Sequence, residues 1–251
     1  MYKGTLYIIA TPIGNLRDIT LRAIETLKSV DTIACEDTRV SRKLLDHFDI
    51  KKPLISLHQH SGEEVVSRLV GLLVRGENIA YITDGGTPAI SDPGQRLVEM
   101  VQRVCHSREN GNLLLVDPRL RGDDGKYIDD IKIIPIPGPS AVAAAVSVSG
   151  MVEKEFYFAG FLPKKKGRQT KMIELSKIDA PIVIYESALR LERTLTDIES
   201  YFGKDTEVFI AREMTKMFEE YWGGKISEVL SNIGTHKLKG EMVLIVKHSQ
   251  S

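Results

Sequence analysis

Asp84 follows the apolar run Ile79 to Ile82 and precedes two glycines, Pro88 and a second turn at Asp92, Pro93 and Gly94. That is too much turn chemistry for a simple hairpin, and it makes a long shaped loop. A carboxylate at a strand end can accept hydrogen bonds from a ligand hydroxyl, amine or amide, and adjacent glycines let a ligand approach the backbone closely. The competing reading is an ordinary connection in which Asp84 or Asp92 caps the next helix. A second group, Cys35-Glu36-Asp37-Thr38-Arg39, directly follows the run VDTIA. Two acids, a hydroxyl and an arginine there mark either a site edge or a helix start whose acids complement its dipole. Lys164, Lys165, Lys166 and Arg168 form the one dense basic stretch, which suits either a solvated surface or RNA phosphates. Glu186, Arg212, Glu213, Gly240 and Glu241 all sit beside strand ends. His58 and His60 have no third ligand near them, so no metal site is expected.

The elements that must carry these residues alternate. Thr5 to Ala10, Val30 to Ala34, Pro53 to Leu57 and Ile79 to Ile82 read as strands, the first a continuous apolar run of the kind buried in parallel sheets. Between them Leu21 to Ser29, Ser41 to Phe48 and Glu63 to Arg75 have helical periodicity, and a further helix starts near Gln95. Such alternation predicts a parallel sheet with right-handed crossovers. A stretch from His106 to about Tyr127 has many turn residues and no period, which predicts a surface insertion. Ile131 to Ile136 resumes as a strand, and Ser140 is expected to cap a helix of small residues, Ala141 to Ser149. Beyond Gly150, strands at 155–161, 181–186, 207–212 and 242–247 alternate with helices at 170–178, 188–201 and 225–232, predicting an α+β unit with a mixed sheet. The expected domains are 1–138 and 139–251.

In the 251 residues, 34 Lys and Arg balance 34 Asp and Glu, so any nucleic-acid contact must come from a local patch. Two cysteines without CxxC spacing exclude a disulfide scaffold and fit a reducing cytoplasm. No apolar run reaches membrane-spanning length, and the first residues do not read as a signal peptide. Thr11-Pro12-Ile13-Gly14-Asn15 at the first strand end matches neither GxGxxG nor the phosphate loop.

Taken together, TLYIIATPIGNLRDIT, CEDTR, YITDGGTPAISDPG, PIPGPSA, FAGFLP and REMTKMFEE resemble the tetrapyrrole methylase superfamily in order along nearly the whole chain. They are most similar to its bacterial small-subunit (16S) ribosomal RNA cytidine 2′-O-methyltransferases. The resemblance implies a two-domain α/β fold, S-adenosylmethionine as cofactor, small-subunit ribosomal RNA as partner and a homodimer. It implies that Pro12, Ile13, Gly14, Asp84, Gly86, Thr87, Ser140 and Ala141 bind the cofactor, joined by Tyr185, Ala211, Gly240 and Glu241 from the second domain. Glu36, Asp37 and Arg39 are then expected on the acceptor side with Glu186, Arg212, Glu213 and Lys216 as catalytic candidates, and Lys164 to Lys166 with Arg168 on RNA phosphates. Alternatives are a precorrin-type C-methyltransferase and a non-catalytic protein that binds S-adenosylmethionine or the ribosome. Three features depart from the pattern: the 106–127 insertion, Glu186-Ser187-Ala188-Leu189-Arg190 where ESPHR is common, and a chain that stops soon after EMVLIVKH, which is expected to weaken RNA binding.

Overall fold

The computed structural model describes residues 4–106, 131–236 and 238–248. The expected insertion, apart from His106, lies outside the described residues. The chain divides into two compact units, Met1–Ser140 and Ala141–Ser251.

In the first unit β1 (Thr5–Ile9), α1 (Leu21–Ser29), β2 (Thr32–Cys35), α2 (Thr38–His47), β3 (Leu54–Ser56), α3 (Glu63–Val74), β4 (Ile79–Ile82), α4 (Gly94–His106) and β5 (Lys132–Ile136) follow in order. All pairings are parallel, with strand order β3-β2-β4-β1-β5. Because side chains alternate across a strand, Ile79 and Tyr81 of β4 face one core while Ala80 and Ile82 face the other. α3 and α4 bring Val66, Leu69, Leu73, Leu97 and Val101 to the first core. α1 and α2 bring Ala23, Leu27 and Leu45 to the second. Each large apolar side chain so buried contributes about 1.5–3 kcal/mol. β1 leaves the sheet toward one face and β4 toward the other, so the adjacent pair β1 and β4 forms a topological switch point, where the carboxyl ends of the strands open a crevice. α2 starts three residues earlier than its periodicity predicts because Asp37 caps it, accepting from the Arg39 amide at 2.8 Å.

The second unit holds α5 (Ala141–Ser149), β6 (Tyr157–Phe161), α6 (Arg168–Leu175), β7 (Ile182–Ser187), α7 (Leu191–Phe202), β8 (Glu207–Arg212), β9 (Glu220–Lys225), α8 (Ile226–Asn232) and β10 (Glu241–Lys247). Its sheet, β6-β7-β10-β8-β9, is mixed: β6 and β7 run parallel, and the other pairs are antiparallel. One core collects Ile182, Ile184, Ile210, Met242 and Leu244 under α6, α7 and α8. Two expectations need correction. The helix expected from Ala188 opens as a 3-10 turn, Ala188–Arg190, before α7. β9 was not expected at all, because Gly223 and Gly224 lower its strand propensity. Gly223 is required there, since a Cβ would overlap the Val208 carbonyl on the neighbouring strand.

Candidate functional site

At the switch point the ends of β1 and β4 are tied by a reciprocal pair of backbone hydrogen bonds between Thr11 and Gly86, both 2.9 Å. The Thr11 hydroxyl, itself buried, also donates to the Thr83 carbonyl at 3.2 Å. Gly86 has φ 91°, and a Cβ on it would press on the Ile13 side chain. Thr87 Oγ1 donates to the Pro139 carbonyl at 3.0 Å, which draws the PGPS turn after β5 to the same edge. The expected residues Pro12, Ile13, Gly86 and Thr87 therefore converge, and Gly14 and Asp84 lie exposed at the rim. Ser140 is half-buried at the end of that turn.

The CEDTR loop after β2 reaches this edge too. The Asp37 amide donates to Asp84 Oδ1 at 3.2 Å, and Thr83 Oγ1 donates to Glu36 Oε2 at 2.8 Å. Glu36 is half-buried, and no hydrogen bond reaches its Oε1 among the described residues. Asp37 is committed differently: it holds the Arg39 guanidinium at 2.6 Å, and these hydrogen bonds bring its carboxyl down to about 2. An acid so stabilised as the anion is a weak base. Arg39 itself stands largely in solvent.

Sequence reasoning overlooked what shapes the Asp84 loop. Tyr81 is fully buried, and its hydroxyl donates to Asp92 Oδ1 at 3.0 Å. Asp92 also accepts from the Ile90 and Gly94 amides, while Ala89 and Ser91 hold left-handed φ of 63° and 64°. Burial and the adjacent Asp92 push the Tyr81 hydroxyl well above its ordinary pKa, so it remains a donor. Gly94 packs so tightly on the Tyr81 ring that a Cβ would overlap it. A strand tyrosine 11 residues before the aspartate of a DPG turn was the available signal.

In the second unit, strand register decides which expected residues share a face. Tyr185, Val243 and Ala211 align across β7, β10 and β8, and Glu186, Met242 and Arg212 align in the next row on the opposite face. The second row is the core side. Glu186 is 1% exposed and accepts from Thr194 Oγ1 at 2.6 Å, from its neighbour's amide at 2.8 Å, and pairs with Arg190 at 3.3 Å. Arg212 is buried, paired with Glu220 at 3.0 Å and bonded to the Lys239 carbonyl. Glu220 in turn meets His236 at 2.8 Å, and His236 stacks on Trp222 with centroids 4.3 Å apart. Glu186 and Arg212, expected on the acceptor side, are thus each engaged in an ion pair on the core face of the sheet.

Glu213, Lys216, Gly240 and Glu241 do meet. Lys216 Nζ lies 2.7 Å from Glu213 Oε1 and 3.2 Å from Glu241 Oε2. Burial would raise the Glu213 carboxyl, but the Lys216 and Glu241 hydrogen bonds outweigh it and hold the carboxyl below its ordinary value. Burial would lower Lys216, but its acidic partners outweigh that and raise it. Glu213 and Thr215 hold left-handed backbones, φ 50° and 66°, and Gly240 leaves the space that the Glu213 carboxylate fills. Arg168, expected on an exposed phosphate patch, is instead 4% exposed, with Nε 2.6 Å from Asp197 and further bonds to Thr194 Oγ1 and the Pro163 carbonyl. Lys164, Lys165 and Lys166 are exposed.

The family model of the Tetrapyrrole (Corrin/Porphyrin) Methylases matches residues 5–109 and 126–230. A Haemophilus influenzae protein named Ribosomal RNA small subunit methyltransferase I is 43% identical over 247 residues, 97% of this chain and 78% of that protein. The Thermotoga maritima protein of the same name is 41% identical over 243 residues, 97% of this chain and 98% of that one. Among solved structures, diphthine synthase superposes with a TM-score of 0.69 at 12% identity, over 99% of this chain and 92% of that one. The Thermus thermophilus uroporphyrin-III C-methyl transferase complexed with S-adenyl homocysteine gives 0.59 at 15%, over 97% of both chains.

Proposed function

The chain belongs to the tetrapyrrole methylase family, and on that premise we propose that it methylates the 2′-hydroxyl of a cytidine ribose in small-subunit (16S) ribosomal RNA. It is an S-adenosylmethionine-dependent methyltransferase of ribosomal RNA. The observation that supports this is 41–43% identity, over 97% of the chain, to proteins named Ribosomal RNA small subunit methyltransferase I. A homodimer is part of the proposal.

The first unit's crevice has the chemistry that a nucleoside-linked amino acid requires. Half-buried Ile13 offers apolar surface, and Gly86, lacking a side chain, leaves room beside it. Asp84 offers an exposed carboxylate for hydroxyls or an amine, and Ser140 offers a hydroxyl. When bound, the donor supplies an electrophilic methyl on a positive sulfur. The chain's tasks are to align the acceptor oxygen behind that methyl and to exclude water. Asp37 joins the two halves of the rim through its amide on Asp84. Glu36, whose Oε1 stays available beside Thr83, is the proposed acceptor of the ribose proton. In the second unit the proposed cofactor-binding residues are Tyr185 and Ala211, which share a row across β7, β10 and β8, with Gly240, Glu241 and Ala141. Lys216 and Glu213 are the second unit's charged catalytic candidates.

The test is transfer of a labelled methyl from S-adenosylmethionine to small subunits that lack the modification, followed by mapping. One ribose-methylated cytidine, resistant to alkaline cleavage on its 3′ side, is expected. Label on a base, or incorporation only into a tetrapyrrole acceptor, overturns the reading.

A further inference from the structure

We propose that a groove on the second unit, between the lysine loop before α6 and the exposed side of α7, binds the phosphodiester backbone of the RNA; this rests on the ribosomal RNA reading above. The cavity measures about 500 Å³ and is lined by Lys165, Lys166, Arg168, Arg193, Asp197 and Tyr201, among others. Arg168 and Asp197 neutralise each other at 2.6 Å. Lys165, Lys166 and Arg193 remain, and among the described residues none of the three makes an ion pair. Three exposed cations around one concavity concentrate positive potential there, which attracts a polyanion, and the chain as a whole has no net charge to impose such a field from elsewhere.

The groove is also built, not merely charged. Arg193 donates one N–H to the Lys164 carbonyl at 3.3 Å, which pins the lysine loop while leaving most of the guanidinium fork unused. Beneath it, Arg168 bonds Asp197, Thr194 and the Pro163 carbonyl, and Thr194 bonds the buried Glu186. This buried chain fixes α6, α7 and the loop to β7 before any ligand arrives. Gly167, in a left-handed conformation with φ 81°, precedes α6, and no side chain caps that helix. The Arg168 amide is taken by the Lys165 carbonyl at 3.2 Å, and the next amides of that first turn add to the anion-attracting face. Arg193 was not visible as a ligand in the sequence, since it is far along the chain from the lysines it joins.

The experiment compares wild-type protein with the triple variant Lys165→Ala, Lys166→Ala and Arg193→Ala, using a small-subunit RNA fragment over a series of salt concentrations. The log–log slope of affinity against salt should shrink by about 1 for each phosphate that is no longer neutralised, with affinity reduced at low salt. Donor affinity, and the methylation rate at saturating RNA, should stay at wild-type values. The double variant Lys165→Arg and Lys166→Arg, which keeps the charge, should retain the wild-type slope. Parallel salt plots for wild type and triple variant sink the groove. So does a triple variant that loses donor affinity together with RNA affinity, because the effect is then on folding. If the wild type itself neither binds nor methylates small-subunit RNA, the functional reading has failed instead.

Discussion

Glu36 and Glu186 are both carboxylates at strand ends, and the chemistry available to each follows from its partners. Glu36 gives one oxygen to Thr83 and keeps the other, beside the crevice where Asp84 stands. Glu186 is enclosed on the core face with Thr194, Arg190 and a backbone amide around it. Their glutamine variants should therefore separate. Glu36→Gln is expected to lower kcat by roughly 10²–10⁴-fold, the usual contribution of a general base, with unchanged melting temperature and donor affinity. Glu186→Gln disturbs a buried charged network and is expected to cost about 1–3 kcal/mol of stability, with kcat near wild type at temperatures where it is folded. Urea titration and steady-state methylation of the two proteins check this. A Glu36→Gln enzyme with full kcat removes the base assignment, and a Glu186→Gln enzyme of normal stability and low kcat restores Glu186 to the chemistry.

The loop from Asp84 to Gly94 keeps its shape through the hydroxyl of Tyr81, a residue inside β4, so strand and ligand loop form one piece. Tyr81→Phe removes that donor but keeps the ring that packs on Gly94. Asp92 still accepts from two amides, so the loss is expected to be moderate, about 1–2 kcal/mol. Donor Kd should rise by up to about tenfold if that energy is spent on loop order. Calorimetric titration with S-adenosylmethionine decides it; unchanged affinity means that the loop holds its shape without the bond. Much of this architecture was readable beforehand. The apolar runs in β1 and β4 and the periodicity of α1 and α3 predicted the parallel sheet and its covering helices, because burial on both faces leaves that composition. What escaped was what depends on register and distant partners. The alternation that sends Tyr185 to one face and Glu186 to the other is visible in β7, but which face is the core depends on α6, α7 and α8. Arg168 reads as one more basic residue until Asp197, 29 positions on, buries it. β9 is hidden by two glycines, one of which the neighbouring strand requires.

At the scale of the whole chain, the family match stops at residue 109 and resumes at 126, so residues 110–125 are additional to the shared pattern. The described ends on either side are close: Cys105 Sγ donates to the Ile131 carbonyl at 3.8 Å, joining the end of α4 to the start of β5. A connection between ends already held together needs little chain, and its closure cost grows only with the logarithm of its length. Deleting 110–125 cuts the link between His106 and Ile131 about threefold, which by that relation favours the folded state by about 1 kcal/mol. The residues named above for the Asp84 crevice and the Arg193 groove lie outside the deleted stretch. The shortened protein is therefore expected to melt at the same temperature or a few degrees higher, with wild-type donor affinity and an unchanged rate of ribosomal RNA methylation. Differential scanning calorimetry and the labelled-methyl assay test the two halves separately. A folded deletion variant that binds S-adenosylmethionine normally but no longer methylates small subunits would assign the extra segment to substrate recognition and overturn the expectation that it is dispensable.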